Sequence, residues 1–139
     1  MALVILSALT NVYWPESVAS TLTVVGLILI VAGLVLLIAA GVSLVVARAA
    51  TVMPRPREGS SVAQRGVYRL VRHPIYGAVL LIALGASLAE SPLGLIPTAL
   101  LGVVFDLKAR LEEAWLEERD QGYSSYRTRT PWRFLPGLY

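Results

Sequence analysis

Residues 18–46 read VASTLTVVGLILIVAGLVLLIAAGVSLVV, a run without a single charged side chain. As a helix rising about 1.5 Å per residue it would be roughly 43 Å long. That exceeds the roughly 30 Å hydrocarbon core of a bilayer, so the run predicts a transmembrane helix that tilts or projects. The rest of the chain agrees with this reading. Hydrophobic residues make up 56% of it, charged residues only 15%, and the mean hydropathy is +0.68. A soluble domain carries about 25% charged residues.

The cations are confined to two stretches. All 12 Lys and Arg lie between Arg48 and Arg72 or between Lys108 and Arg133. Burying a cation at the bilayer centre costs about 2.5–3.5 kcal/mol even on the lenient insertion scale, and the apolar stretches exclude them. The net charge of +3 and pI near 9.6 fit anionic headgroups flanking apolar spans better than a nucleic acid. With no cysteine, disulfides, thiolate metal sites and cysteine nucleophiles are excluded. The first ten residues, MALVILSALT, lack a basic n-region and a cleavage site, so they read as a retained helix and not as a removed signal.

Three more apolar segments surround the long run. One covers about Ala2–Tyr13 and ends at Tyr13-Trp14-Pro15-Glu16-Ser17, where aromatics suit the membrane interface and Pro15 with Ser17 starts a new helix. Two others, Ile75–Ala89 and Leu93–Leu107, are joined by Glu90-Ser91-Pro92. Each is shorter than the roughly 20 residues a perpendicular span needs. Lys108 to about Gln121 stays helical in period, with Leu107, Leu111 and Trp115 on one stripe. It reads as the fourth helix leaving the bilayer, with Gly122 as its stop and a short tail after it. The expected fold is all-α: a polytopic membrane bundle of about four transmembrane helices with a cytoplasmic helical extension and a C-terminal tail. It is one integral membrane domain: N-terminal helical hairpin (1–47), basic loop (48–72), helical hairpin with the catalytic core (73–121) and tail (122–139). The positive-inside rule puts both termini and both basic stretches in the cytoplasm, the plasma membrane being the default residence. Gly26, Gly33 and Gly41 could admit a neighbouring helix closely, or be ordinary glycine use in a membrane helix.

The stretch from Gly66 to Gly77, GVYRLVRHPIYG, concentrates the chemistry. Pro74 suits the first turn of a helix, which puts His73, the chain's one histidine, at its start. Free N–H groups and the helix dipole would make an anion site there, with Arg69 and Arg72 adding cations and Tyr68 and Tyr76 adding aromatic faces. The same residues could equally be a topology anchor, a cap and a belt aromatic. The second cluster is Lys108, Arg110, Glu112 and Glu113, whose carboxylates could meet a ligand ammonium or simply form i,i+4 pairs such as Lys108–Glu112 and Asp106–Arg110. A hairpin of the third and fourth helices would bring His73-Pro74 and Glu112-Glu113 together on one side of the membrane. A ligand with a carboxylate, an ammonium and a sulfonium fits such a site, as do many zwitterions.

These residues resemble a known family. Gly66-Val67-Tyr68-Arg69 with Arg72-His73-Pro74-Ile75-Tyr76 is similar to the G-x-Y-x-x-x-R-H-P-x-Y signature of the isoprenylcysteine carboxyl methyltransferases. Glu112-Glu113, Gly122-Tyr123-Ser124-Ser125-Tyr126 and Phe134-Leu135-Pro136 are similar to that family's E-E … G-x-x-Y … P ending, so the resemblance covers roughly residues 55–139. The phospholipid N-methyltransferases share the general pattern. The resemblance implies an S-adenosylmethionine-dependent methyltransferase acting on a lipophilic, membrane-embedded or lipidated acceptor. By it, Tyr68, His73, Pro74 and Tyr76 would contact the cofactor, and Ser60 to Ala63, with Ser61 and Val62 at the centre, would pass over it. Glu112 or Glu113 would hold the methionine end. The family's acceptor-side arginine is replaced here by Lys108, with Arg110 next available, and Lys lacks the planar fork of Arg. Gly77-Ala78 stands where the family more often has x-Gly. No metal site and no nucleic-acid partner are expected. The competing readings are an NADPH-dependent lipid or sterol reductase and a small membrane protein without catalytic activity.

Overall fold

A computed structural model describes residues 12–51, 65–119 and 122–138. Nearly all of the first apolar segment lies outside the described residues, as does the loop holding Ser61 and Val62. Among the described residues there are four α-helices: α1 (Glu16–Thr51), α2 (Pro74–Glu90), α3 (Leu95–Arg119) and α4 (Tyr123–Arg129). Two 3₁₀ turns, Gly66–Arg69 and Pro92–Gly94, lead into α2 and α3. Among the described residues, pairing of β type is limited to two isolated bridges, one of them between Val71 and Trp132.

Pro15 sets the start of α1. It supplies no N–H, and its carbonyl accepts from the N–H groups of Val18 and Ala19, both at 3.0 Å. The helix then runs for 36 residues, because nothing in the uncharged stretch stops it. Its hydroxyls are handled internally: Thr23 Oγ1 donates to the Ala19 carbonyl and Ser43 Oγ to that of Ala39, which lets polar side chains sit in apolar surroundings.

Two helices are long and apolar enough to cross a membrane, spanning Glu16–Ala47 and Pro92–Arg119, and 11% of the most apolar window of each is buried. A soluble protein's core helix would be mostly buried. Here Leu27, Ile28, Val31, Val35 and Ile38 on α1, and Ile96, Leu100, Val103 and Val104 on α3, are all exposed. Large contiguous apolar surface of this kind marks a contact with lipid or another protein. The α2 helix has 17 residues, about 26 Å, and is shorter than both.

The α1 and α2 helices pack through their glycines. A Cβ added at Gly26 would run into the Gly85 carbonyl and Ala89, and one at Gly33 would meet Ala78 and Ile82. Gly85 reciprocates against Gly26 and Ile30. Backbones therefore approach directly, the small-residue packing that works where lipid removes the hydrophobic drive. Gly41 has nothing within 4 Å of its added Cβ, so the third glycine of the series takes no part.

At the far end of α2 the chain reverses through Ser91, whose hydroxyl donates to the Val12 carbonyl at 2.6 Å and accepts from the Leu93 N–H at 3.3 Å. Ser87 Oγ lies 2.9 Å from Thr98 Oγ1, tying α2 to α3. The C-terminal segment departs from the expected plain tail. Tyr123 and Tyr126, three residues apart, are 1% and 3% exposed and give α4 a buried face. The chain beyond it returns across the start of α2.

Candidate functional site

The start of α2 is held from three directions. Ahead of it, Gly66 turns with φ of 57° and a Cβ there would strike Ser43 Oγ, so the turn needs glycine and lies against α1. Tyr68 follows, 8% exposed, its carbonyl accepting from the Tyr126 hydroxyl at 2.7 Å. Beside it the returning chain pairs like a short strand: the Arg72 N–H donates to the Trp132 carbonyl at 3.0 Å and the His73 N–H to that of Arg133 at 2.8 Å. The N–H groups of Tyr76 and Gly77 both go to the His73 carbonyl. The backbone anion site expected at this helix start is therefore largely closed, because the tail uses the donors of Arg72 and His73.

Four charged side chains fill the space behind. Glu113, 3% exposed, accepts from Arg72 Nε at 2.9 Å, from Arg133 Nε and Nη2 at 3.2 and 3.1 Å, and lies 3.1 Å from His73 Nε2. Arg72 Nη1 also donates to the carbonyls of Thr130 and Pro131, each at 2.7 Å. Arg133 Nη1 reaches Asp106 Oδ1 at 2.8 Å, and Arg110 Nε takes Asp106 Oδ2 at 2.7 Å. Two guanidinium groups thus face two carboxylates, and among the described residues every buried side-chain nitrogen or oxygen has a partner. An ionised carboxylate only accepts, so Nε2 of His73 is the donor to Glu113.

Glu112 differs from its neighbour. The next residue on a helix points about 100° away, and this rotation turns Glu112 toward a cavity of about 170 Å³ lined by Tyr68, Arg72, His73, Ile75, Tyr76 and Glu112. Its side chain is 41% exposed, and its two oxygens accept from the Tyr76 hydroxyl at 2.9 Å each. Lys108 Nζ stands 3.8 Å from Glu112 and 5.3 Å from the centre of the Tyr76 ring.

The aromatic rings form a ladder. His73 and Tyr76 are parallel to within 3°, with centroids 5.3 Å apart, and Tyr76 stacks on Phe105 at 4.7 Å. Phe134 of the tail meets both His73 and Tyr76 edge-on at 6.3 Å. Its carbonyl sits so close to Gly77 that no Cβ fits there.

Of the residues singled out from sequence, Tyr68, His73, Tyr76 and Glu112 come together around the cavity, with Lys108 at its edge. Pro74 occupies the first turn of α2, buried, and supports the site without lining it. Glu113 faces the ion-paired cluster. Arg110 is paired with Asp106 on the outer side and does not line the cavity. Ser61 and Val62 lie outside the described residues. Sequence reasoning missed Arg133 and its hold on Asp106, whose pairing with Arg110 it did expect, and it took Phe134 only as part of the closing motif, without its packing on His73 and Tyr76. An arginine and a phenylalanine next to Trp132, in a segment carrying six polar or basic residues over Ser124–Thr130, resemble a solvated tail.

In α4, burial raises the phenol of Tyr126 to about 12 and, aided by nearby Glu113, pushes that of Tyr123 higher still. Both hydroxyls stay neutral at ordinary pH. The chain matches no protein-family model and no curated protein.

Proposed function

We propose that this chain is a multi-pass membrane methyltransferase using S-adenosylmethionine, similar in site to the isoprenylcysteine carboxyl methyltransferases, and acting on a lipophilic acceptor. The observation that carries the reading is the half-exposed Glu112 carboxylate, set on a small cavity beside the stacked His73–Tyr76–Phe105 ladder. A carboxylate next to aromatic faces suits a ligand that is cationic at two points, an ammonium and a sulfonium. When bound, the cofactor supplies an electrophilic methyl group. Glu112 would pair with its ammonium, Tyr76 and Tyr68 would lie against its cationic and ring portions, and Lys108 is positioned for a carboxylate of either the cofactor or the acceptor. The residues contribute orientation and exclusion of water, the main levers for an in-line displacement. A carboxylate acceptor needs no base. His73 is committed through Nε2 to Glu113, which fits a binding role better than proton transfer.

Small-molecule sites usually span about 300–1,000 Å³, so a cavity of about 170 Å³ accommodates part of such a molecule. A reductase reading is less well supported. A dinucleotide needs cations for its phosphates, whereas Arg72 and Arg133 are both engaged by Glu113 and buried carbonyl or carboxylate partners. The apolar outer faces of α1 and α3 support spanning. The cation-rich stretches at Arg48–Arg72 and Lys108–Arg133 support cytoplasmic placement of the site and both termini, by default at the plasma membrane.

Calorimetric titration of the detergent-purified protein with S-adenosylmethionine tests this. Saturable binding is expected, weakened about ten- to hundredfold by Glu112→Gln, the loss of one charge-assisted contact. A folded wild type that binds NADPH and not S-adenosylmethionine would overturn it.

A further inference from the structure

The tail residue Arg133 has no place in the sequence motifs, yet it is 8% exposed and its contacts reach the supports of the site. Its guanidinium takes both oxygens of Glu113 and one of Asp106, its carbonyl accepts the His73 N–H, and the next residue, Phe134, packs edge-on to His73 and Tyr76. Arg133 approaches from the C-terminal segment, Glu113 and Asp106 from α3, and His73 from the start of α2. A single planar group thus ties three separate parts of the chain. Bidentate guanidinium–carboxylate geometry fixes orientation as well as distance, so the position of Glu113 Oε1, and with it the direction of the His73 Nε2–H bond, depends on that fork.

We infer that Arg133 is a positioning residue of the cavity: by clamping Glu113 against His73 it sets the imidazole parallel to Tyr76 and leaves Glu112 as the carboxylate that faces a ligand. Arg72 alone would not do this. It grips Glu113 through Nε only, its Nη1 being spent on the carbonyls of Thr130 and Pro131, and one contact leaves the carboxylate free to rotate. The clamp also explains why the tail must return: the Val71–Trp132 bridge delivers Arg133 one residue further on, beside His73. The inference rests on the site described above, and its main test uses no ligand, so it can fail or hold whatever the ligand is.

Because His73 is the only histidine, protein labelled with ¹⁵N-histidine gives one set of ring signals. In the wild type the Nε2–H proton, bonded to a buried carboxylate, should be protected from exchange and visible as a downfield cross-peak. Arg133→Gln should remove that peak through exchange with water and weaken S-adenosylmethionine binding about tenfold, with helix content unchanged. Arg133→Lys keeps the charge without the fork. It should restore the peak in part, and it serves as the deciding variant if Arg133→Gln does not fold. Arg127→Gln, at an exposed pair with Glu117, should leave the peak in place. A wild-type cross-peak in either folded Arg133 variant would overturn the inference. A wild type that shows the peak but binds no S-adenosylmethionine would keep Arg133's role and remove the cofactor reading.

Discussion

The two ends of α2 are held by opposite means. Along its length it meets α1 through Gly26, Gly33, Gly85 and Ala78, where backbone touches backbone. At its start it meets α3 and the tail through Arg72, His73, Glu113 and Arg133, where nearly every contact is a directed, charge-assisted hydrogen bond. Small-residue packing is tolerant of chemistry and intolerant of volume. The ion-paired cluster is the reverse: side chains could change size more readily than charge, since removing one member strands the others in a dry place. The apolar seam sets where α2 lies, and the charged cluster sets how its first turn is aimed.

The sharpest break in this comparison is Glu113→Ala. It leaves Arg72 and Arg133 buried without their shared carboxylate and should cost about 3–5 kcal/mol, read as a large fall in thermal midpoint in detergent. A drop below about 1 kcal/mol would mean that water or lipid headgroups reach the cluster. Gly26→Leu attacks the other end. Overpacking costs typically about 1–3 kcal/mol, and the side chain would meet the Gly85 carbonyl. Gly41→Leu, in open space, should cost almost nothing, and equal effects at both positions would contradict the seam.

A smaller effect comes from pH. The folded state keeps Tyr126 neutral up to about 12, whereas an exposed phenol ionises near 10.0. Its stabilising contribution is therefore complete below about pH 10 and is lost as pH rises toward 12. Docking of α4 should weaken over that window, as seen by tyrosinate absorbance and faster proteolysis of the tail. Release of the tail well below pH 10 would contradict the burial of Tyr126.

Much of the helical layout was legible in the sequence because each element carries its own punctuation. Pro15, Pro74 and Pro92 sit where helices or turns begin, and the uncharged run beyond Glu16 is helical as read, although α1 continues past Arg48 to Thr51, into the stretch expected as a basic loop. The approach of His73 to the Glu112-Glu113 pair followed from hairpin geometry alone. What stayed hidden depends on contacts distant in sequence. Nothing local distinguishes Gly41 from Gly26, because the difference lies on α2. Nothing local separates Glu112 from Glu113 either, since their opposite fates follow from a turn of about 100° and from partners at positions 72, 73 and 133. The seven residues of α4 looked like a polar tail because its burial comes from two tyrosines, and the carbonyl that Tyr126 bonds, that of Tyr68, lies 58 residues away.

The division between the adjacent glutamates is tested most directly by thermal melts of wild type and Glu112→Gln, each with and without saturating S-adenosylmethionine. Glu112 is partly exposed, so its change should move the ligand-free midpoint little, by less than about 1 kcal/mol of stability. The wild type should gain stability on adding the ligand, as any ligand of the folded state confers, and Glu112→Gln should lose most of that gain. An equal gain in both proteins, or none in the wild type, would contradict the assignment of Glu112 as the ligand-facing carboxylate.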